Sequence, residues 1–300
     1  MKNCFLAIVL GLSFTIANAA TVNLSPGSSI QDAIDAAADE DEIILEAGTY
    51  TGDIDLSGKN ITIRGQGFDS IIQGSGTNSV IRCDSGSSIV DQVSITGGSA
   101  ANGGGIYVLG TCSLAVTNSA IYNNTASSTG SAICIRGEGI PIFSNNVIAF
   151  NLRGGSAEPH TIYVNDASAR FIRNTVTQNT SPGNGFFIMG SNSRVRMVRN
   201  IISENGENGV GRGTCVLGGA RLGSRVRMIR NIFYNNSASE IFINGKDFSG
   251  KKGIRRAQNR IGSSRFSRNR FADPSFTTVG EDFATSDFTS ILTKFGAFSE

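Results

Sequence analysis

The sequence predicts an all-β protein: a right-handed parallel β-helix, a solenoid of three sheets and about eight coils with an N-terminal capping helix. Three observations support this prediction: a repeat of 26 to 31 residues, short segments in which apolar and polar residues alternate, and asparagines at fixed positions in the repeat. One coil cannot bury its own apolar face, so such repeats must stack on one another. The composition agrees, with 37 Gly, 5 Pro and no Trp.

The repeat is clearest in the pattern apolar-x-x-Asn, whose apolar residue is the anchor of the alignment. From Ile121 onward, consecutive anchors are 27, 28, 26, 31 and 28 residues apart. Each repeat holds three short alternating segments and no helical period. We therefore expect coils anchored near Ile63, Ile95, Ile121, Ile148, Val176, Ile202, Phe233 and Ile261.

A second asparagine series lies two residues before the anchors. It falls in a two-residue bend, where asparagine adopts the left-handed backbone conformation at low cost. Stacked coils place equivalent amides about 4.8 Å apart, where they can hydrogen-bond along the stack. The asparagines expected to stack along one corner are Asn146, Asn174, Asn200, Asn231 and Asn259.

Residues 1–19 have the features of a signal peptide. A positively charged start precedes an apolar run over residues 5–16 and the small-x-small sequence Ala17-Asn18-Ala19. The run is too short to span a bilayer, and no later segment reaches that length. We therefore expect no transmembrane segment and a protein that is secreted, periplasmic or on the cell surface.

The rest of the chain divides into a solenoid and its covers. Ser29-x-x-Asp32 resembles a capping box at the start of an amphipathic helix that should cover the N-terminal end. We expect the parallel β-helix with this cap over residues 20–276 and a C-terminal cap or tail over residues 277–300. Both covers protect open strand edges from aggregation.

The charge is distributed unevenly along the chain. Residues 1–152 hold 5 Lys and Arg against 13 Asp and Glu, whereas residues 153–300 hold 21 against 11. The basic second half indicates a polyanionic partner. Export favours an acidic polysaccharide or cell-surface glycan over nucleic acid as that partner.

Four cysteines remain in the expected mature chain, and an oxidising compartment permits disulfides. The pair to test first is Cys83 with Cys112. Buried free thiols are the alternative for these two residues, as for Cys134 and Cys215.

Several motifs are similar to those of known β-helix proteins. The stretch from Ser29 through Gly48-Thr-Tyr50 to Gly65 resembles the N-terminal signature of the pectin-lyase-like right-handed parallel β-helix superfamily. Gly103-Gly-Gly-Ile-Tyr107 with Ile121-Tyr-Asn-Asn124 is similar to the repeats of polymorphic outer membrane proteins. The resemblance implies the fold, but this superfamily includes lyases, hydrolases, esterases, epimerases and non-enzymatic adhesins. The catalytic motifs of its pectin methylesterases and polygalacturonases have no counterpart here.

The repeat register places aromatic residues on the outer face of the first strand of several coils, interrupted by Cys134 and Val216. Aromatic faces stack on sugar rings. The residues expected to bind substrate in this way are Tyr107, Tyr163, Phe187 and Phe242. The alternative is that the rings stack on one another or lie beneath loops.

Arginines recur on the outer face of the second strand, and a further series lies three residues before the anchors. Guanidinium groups recognise carboxylates through two parallel hydrogen bonds, so a uronate polymer could meet one arginine per coil. The alternative is a solvated basic face. The residues expected to bind substrate are Arg170, Arg196, Arg227 and Arg255, and the further series is Arg173, Arg199 and Arg230.

No residue stands out as catalytic. General-base chemistry by His160 is conceivable, but a surface-loop histidine is the interpretation we favour. We expect no metal, no cofactor and a monomer. The sequence thus predicts a secreted protein that binds acidic, uronate-containing polysaccharide. If the protein is an enzyme, we expect it to cleave this polysaccharide in a lyase-like reaction. The alternative is a non-catalytic cell-surface adhesion or structural module.

Overall fold

The computed structural model describes residues 19–153, 160–179, 184–189, 193–206, 212–216, 226–243, 245–261 and 266–273. Within these residues the chain winds into the predicted all-β solenoid, with three sheets of parallel strands. The predicted C-terminal cap or tail, and all of the predicted signal peptide except Ala19, lie outside the described residues.

Each coil contributes one strand to each of three sheets, A, B and C. Sheet A contains β1 (Thr21–Leu24), β2 (Glu42–Leu45), β5 (Thr62–Gly65), β8 (Ile89–Asp91), β12 (Ala115–Thr117), β16 (Ile142–Ser144), β20 (Ser168–Ile172), β23 (Arg194–Val198), β26 (Arg227–Ile229) and β30 (Phe266–Ser267). Sheet B contains β3 (Gly48–Thr51), β6 (Ser70–Gln73), β9 (Ser94–Thr96), β13 (Ala120–Tyr122), β17 (Val147–Ala149), β21 (Thr175–Thr177), β24 (Ile201–Ser203), β27 (Ile232–Tyr234) and β31 (Arg270–Phe271).

Sheet C contains β4 (Ile54–Asp55), β7 (Ile81–Cys83), β11 (Ile106–Val108), β15 (Ile133–Arg136), β19 (Ile162–Asn165), β22 (Phe186–Met189), β25 (Arg212–Val216), β28 (Ser239–Ile243) and the antiparallel β29 (Lys246–Phe248). A short fourth sheet lies between sheets B and C along the chain and contains β10 (Ser99–Asn102), β14 (Thr125–Thr129) and β18 (Leu152–Arg153).

The core is a column of apolar side chains inside the coils. Because successive residues of a strand point to opposite faces, the alternation in sequence sends every second residue inward. In-register parallel pairing aligns Phe143 with Phe171 on sheet A, and their rings are stacked with centroids 5.2 Å apart. Phe186 of sheet C meets the Phe171 ring edge-on across the core.

In most coils the bends that follow sheets A and B place a left-handed residue directly before a buried asparagine. The exceptions after sheet A are Gln92 and Asn118, which precede Val93 and Ser119. The sequence pattern assigned the left-handed conformation to the stacked asparagine itself, which is wrong. The positive φ belongs to the preceding residue, whose side chain can then point outward. In the bend after sheet A the φ angles lie between +49° and +58°, at Gln92, Asn118, Asn145, Arg173, Arg199, Arg230 and Arg268.

The stacked asparagines form the predicted hydrogen-bonded ladder. Each buried side-chain amide donates to the next asparagine Oδ1, at 3.0, 3.1, 2.9 and 2.9 Å, and also to a backbone carbonyl. Four predicted members are confirmed, and the ladder runs through Asn146, Asn174, Asn200, Asn231 and Asn269. A second ladder in the bend after sheet B runs through Asn124, Asn151, Asn179, Asn205 and Asn236.

The N-terminal cap is the predicted helix. Helix α1 spans Ile30–Ala36, and Ser29 Oγ accepts the Asp32 amide N–H. Ile30 and Ile34 are buried against the first coils. Further along, Cys83 and Cys112 form a disulfide, whereas Cys134 is a buried free thiol.

The last coil differs from its prediction. Residues Gly250–Ile261 form helix α2, which contacts β28, β30 and β31 and so covers the C-terminal end of all three sheets. Ile261 is therefore not an anchor, and its place opposite Phe233 is taken by Phe271. Asn269 takes the place predicted for Asn259. The sequence pattern misled because Asn259-x-Ile261 imitates the Asn-x-apolar spacing, while the buried pair Ile254 and Ala257 has the i, i+3 spacing of a helix.

Two smaller corrections follow from the strand register. Ile63 belongs to sheet A, and the residue aligned with Ile95 in sheet B is Ile72. Arg255 is an exposed residue of α2 and does not continue the strand column of Arg227. Among the described residues, neither helix has the length and apolarity needed to cross a membrane.

Candidate functional site: a basic groove on sheet A

The three sheets differ in how open their outer faces are. On sheet B the outward residues Ala120, Val147, Thr175 and Ile201 are at most 8% exposed, so this face is closed to a ligand. On sheet A the outward arginines of the second half of the solenoid are exposed, and the aliphatic residues beside them are half-buried. A ligand-binding surface is therefore to be sought on sheets A and C.

Three of the four predicted strand arginines lie together on sheet A. Arg170 pairs in register with Arg196, and Arg196 with Arg227. All three side chains are exposed. Arg255 lies apart from them on α2. The predicted column is therefore three arginines long in the described residues, with one guanidinium per coil.

A second arginine column runs parallel to the first, in the bend that follows sheet A. It consists of the left-handed residues Arg173, Arg199, Arg230 and Arg268. Arg268 was missed by the sequence alignment, although the dipeptide Arg268-Asn269 repeats the Arg-Asn pairs of the earlier bends. That dipeptide was the available signal.

An aliphatic strip separates the two arginine columns. Ile172, Val198 and Ile229 are aligned in register on the outer face of sheet A. Together with the bend arginines they line a groove of about 560 Å³. We call this surface, with the strand column beside it, the basic groove. Its full lining is Ile172, Arg173, Val198, Arg199, Ile229, Arg230, Ser267 and Arg268.

The charged residues of the basic groove are all arginines. Equivalent residues of neighbouring coils are about 5 Å apart, so each column stacks like charges that repel one another unless solvent or an anion screens them. Within the described residues, the arginines that pair with carboxylates include Arg64, Arg82 and Arg212, whereas Arg170, Arg196 and Arg227 have no ion-pair partner. The groove is thus suited to an anionic ligand with a regular charge spacing.

The predicted aromatic ladder is only partly an open surface. Tyr163 is 5% exposed and packs against Cys134, with the Arg136 guanidinium 5.5 Å from its ring centroid. The Phe242 ring is covered by the Arg212 guanidinium at 4.4 Å. Tyr107 is half-buried and lines a cleft.

The remaining ladder positions are settled by backbone register alone. Phe187 pairs with Tyr163 and with Cys215, so Cys215, not the predicted Val216, continues the ladder. The side chain of Phe187 lies outside the described residues. For Tyr163 and Phe242 the structure therefore favours the alternative interpretation, in which the rings pack against neighbouring groups of the protein.

His160 is not the surface histidine that the sequence suggested. It is half-buried and stacks on Tyr163 with the ring planes 5° apart. Its Nδ1 accepts the Asn184 backbone N–H at 3.0 Å. Desolvation lowers the pKa of His160 to about 4, so the ring is neutral at pH 7. These contacts assign it a structural role in the described part of the chain.

Comparisons with known proteins bear on the fold. Residues 54–221 match the family described as right handed beta helix region. A solved pectin methylesterase variant in complex with a hexasaccharide is 12% identical, covers 90% of this chain and 98% of its own, and has a TM-score of 0.52. A rice weevil pectin methylesterase is 12% identical, with 86% and 89% coverage and a TM-score of 0.46.

An alginate lyase from a Paenibacillus species is 16% identical, covers 77% of this chain and 98% of its own, and has a TM-score of 0.36. No curated protein sequence matches the chain. At these identities the structural likeness concerns the fold alone. Since the family match spans more than half of the sequence, the chain belongs to the family of right-handed β-helix proteins.

Proposed function

We propose that the protein binds an acidic, uronate-type polysaccharide outside the cell, along the basic groove of sheet A. The single observation that carries this proposal is the pair of parallel arginine columns on either side of the strip Ile172, Val198 and Ile229. The sequence contributes the second support, since the half that contains the groove has 21 Lys and Arg against 11 Asp and Glu.

The spacing of the columns favours a polymer over a small anion. Each coil repeats the same guanidinium about 5 Å further along the solenoid axis. A linear chain with one carboxylate per sugar unit can meet several of these groups at once. Several weak contacts on one chain add up to an affinity that no single contact supplies.

The aliphatic strip favours a sugar polymer over a simple charged one. Sugar rings have apolar C–H faces as well as hydroxyl edges, and such faces pack on apolar side chains. A chain lying on Ile172, Val198 and Ile229 would place its carboxylates toward the guanidinium groups on either side. Arginine is suited to this contact because its planar fork matches a carboxylate.

The fold is compatible with such a ligand. The similar pectin methylesterase was solved with a hexasaccharide. For this chain, however, the arginine columns and the strip carry the proposal. Among the described residues that line the groove there is no carboxylate, imidazole or amine, so binding is proposed and cleavage is left to the experiment.

The test is binding of the mature chain to polygalacturonate, alginate and chondroitin sulfate at low and high salt. We expect binding to weaken strongly with salt, because screening acts on exposed charges. The double variant Arg196→Gln/Arg227→Gln should bind about a hundredfold more weakly, at about 1–2 kcal/mol per charge-assisted contact. Calorimetry at two salt concentrations measures both effects.

The matched control is Arg255→Gln/Arg256→Gln, which removes two exposed arginines from helix α2. It should keep most of the parent's affinity. Circular dichroism confirms that both variants fold. If the parent binds none of the three polymers at low salt, or the groove variant binds as tightly as the parent, the proposal fails.

The same samples separate a lyase from a non-catalytic module. New absorbance from unsaturated uronates, on incubation with any polymer that binds, identifies a lyase. Binding without such a product identifies an adhesion or structural module, the second function that the sequence predicts.

A further inference from the structure

A second cleft, of about 540 Å³, lies on sheet C near the N-terminal end, away from the basic groove. It was not predicted from the sequence. Strands β4, β7 and β11 supply Asp55, Arg82 and Tyr107, the loops that follow sheet B supply Asp53 and Asn78, and strand β10 of the fourth sheet supplies Asn102. The cleft therefore combines one aromatic ring with a dense set of hydrogen-bonding groups.

The polar side chains of the cleft are held in place by the fold. The Asp53 carboxylate accepts the Ser75 amide N–H at 2.9 Å and the Asn78 side-chain amide at 3.2 Å. Gln31 of the capping helix accepts the Asp55 N–H at 2.8 Å. Preorganised groups lose little conformational freedom when a ligand binds.

The charge of this cleft is opposite to that of the basic groove. Arg82 is held between two carboxylates, with Asp55 at 3.0 Å and Asp84 at 3.2 Å. Burial opposes ionisation of Asp55, but hydrogen bonds from Ser57 and Arg82 outweigh it, so the pKa of Asp55 is lowered. The charged side chains that line the cleft are Asp53, Asp55 and Arg82, two carboxylates against one guanidinium. An anionic sugar would be repelled.

Donors and acceptors remain available next to one another. Asn102 Oδ1 accepts from Thr129 and Arg136, which leaves its amide N–H groups without a partner in the described part of the chain. Asn78 donates to Asp53 and leaves its carbonyl oxygen as an acceptor. A sugar hydroxyl both donates and accepts, so adjacent hydroxyls match this alternation.

We propose that this cleft is a binding site for a neutral sugar unit of a glycan. The ring packs on Tyr107, and its hydroxyls bond to Asp53, Asn78 and Asn102. The proposal is independent of the basic groove, because the two surfaces share no residue and have opposite charge. The protein then has two glycan surfaces, one for an acidic chain and one for a neutral unit.

The experiment is calorimetric titration of the mature chain with short neutral oligosaccharides of glucose, galactose, mannose and xylose, at low and high salt. At least one should bind, with an affinity that salt hardly changes. Tyr107→Ala and Asn78→Ala should each weaken that binding about tenfold. Tyr107→Phe keeps the ring and should bind within about threefold of the parent. Asn78→Ala carries the test if Tyr107→Ala fails to fold.

The groove variant Arg196→Gln/Arg227→Gln is the matched control and should bind the neutral sugar like the parent. No binding across the neutral panel, or equal binding by Asn78→Ala and the parent, overturns the proposal. Cationic glucosamine oligomers are titrated as well, and binding of these oligomers alone also overturns the proposal. Failure of the basic groove would appear separately, as lost binding of the acidic polymers.

Discussion

The outer face of sheet A changes its chemistry between its first and second halves. In the first half, Arg64 lies between Glu42 and Asp91, and Asp91 also accepts hydrogen bonds from Thr117 and Asn118. In the second half, the column of Arg64 and Asp91 continues as the aliphatic strip, while the strand column beside it and the bend carry the arginines of the basic groove. Arg64 of the first half thus pairs with carboxylates of the fold, whereas Arg170, Arg196 and Arg227 of the second half have no ion-pair partner among the described residues.

The comparison shows that backbone and surface are specified separately. The bend backbone is the same in both halves: Asn118 and Asn145 in the first, and Arg173 and Arg199 in the second, all have left-handed φ angles. The side chain of that position points away from the core, so its identity is free of packing. A solenoid can therefore acquire a charged surface on one stretch without altering its coils.

The largest effect is expected inside the coils, where the two halves should behave alike. Asn146 and Asn200 each donate to a backbone carbonyl and to the next asparagine. Replacing either by alanine leaves several buried groups unpaired, so the free energy of unfolding should fall by about 3 kcal/mol in both variants. Urea unfolding measures it. A loss confined to one half would mean that the coils themselves differ.

The next effect comes from His160, which precedes strand β19 where the second half begins. Its pKa in the folded protein is about 4, below the ordinary value of 6.5. Between these values the unfolded chain binds more protons, so stability is complete above pH 6.5 and declines as the pH falls toward 4. At pH 5 the loss should be on the order of 1–2 kcal/mol, reduced by the partial exposure of the ring.

His160→Asn tests this assignment because its side-chain oxygen can replace Nδ1 as the acceptor for the Asn184 N–H. The variant should lose the part of the pH dependence between pH 4 and 6.5 while keeping its stability at pH 7. An unchanged profile would assign the decline to other groups.

Most of the fold could be predicted from the sequence because the residues that define the repeat are buried in the core. Seven aligned residues of sheet B, from Ile72 to Phe233, are apolar and point into the core. The ladder asparagines lie at fixed distances from them in the sequence. The last coil escaped prediction because helix α2 lengthens it, so that Asn269 lies 38 residues after Asn231. An inserted helix changes the sequence spacing between equivalent residues, on which the prediction relied, but it leaves the strand pairing unchanged.

The candidate sites were predictable only in part. The positions of the strand arginines on sheet A, and the exposure of their side chains, could be predicted from the repeat register. The cleft on sheet C could not be predicted in this way, because Asp53 and Asn78 lie in loops of irregular length and Asn102 ends the short strand β10. Only the folded coils bring these three residues together. The burial of Tyr163 was open for the same reason, since it depends on Arg136 and on what surrounds the strand.

Removing one arginine from each half should change stability in opposite directions. Arg64→Gln leaves Asp91, whose side chain is 8% exposed, without its cation, and should lower the free energy of unfolding by about 1 kcal/mol. Arg196→Gln relieves repulsion from two neighbours and should raise it by about 0.5 kcal/mol at low salt. Unfolding at two salt concentrations checks both signs. The same sign for both variants would remove the contrast between the halves.

The last effect is a gain in affinity, obtained by extending the arginine column into the first half. Ile142 precedes Arg170 in register on the outer face of sheet A, so Ile142→Arg adds one guanidinium contiguous with the column. Affinity for an acidic polymer that the parent binds should rise about fivefold at low salt, the share of one exposed contact of about 1 kcal/mol. Calorimetry measures the change.

The matched control is Ile89→Arg, in the same column but two coils earlier. Ile89 is 42% exposed, and it is separated from Ile142 by Ala115. Both variants add one positive charge to the same face, so a general electrostatic attraction would strengthen binding equally in both. A polymer lying along the arginine column gains only from the contiguous charge, because the two coils of Ala115 and Ile142 separate position 89 from Arg170. A clear advantage of Ile142→Arg over Ile89→Arg therefore identifies the column, rather than the net charge of the protein, as the binding surface.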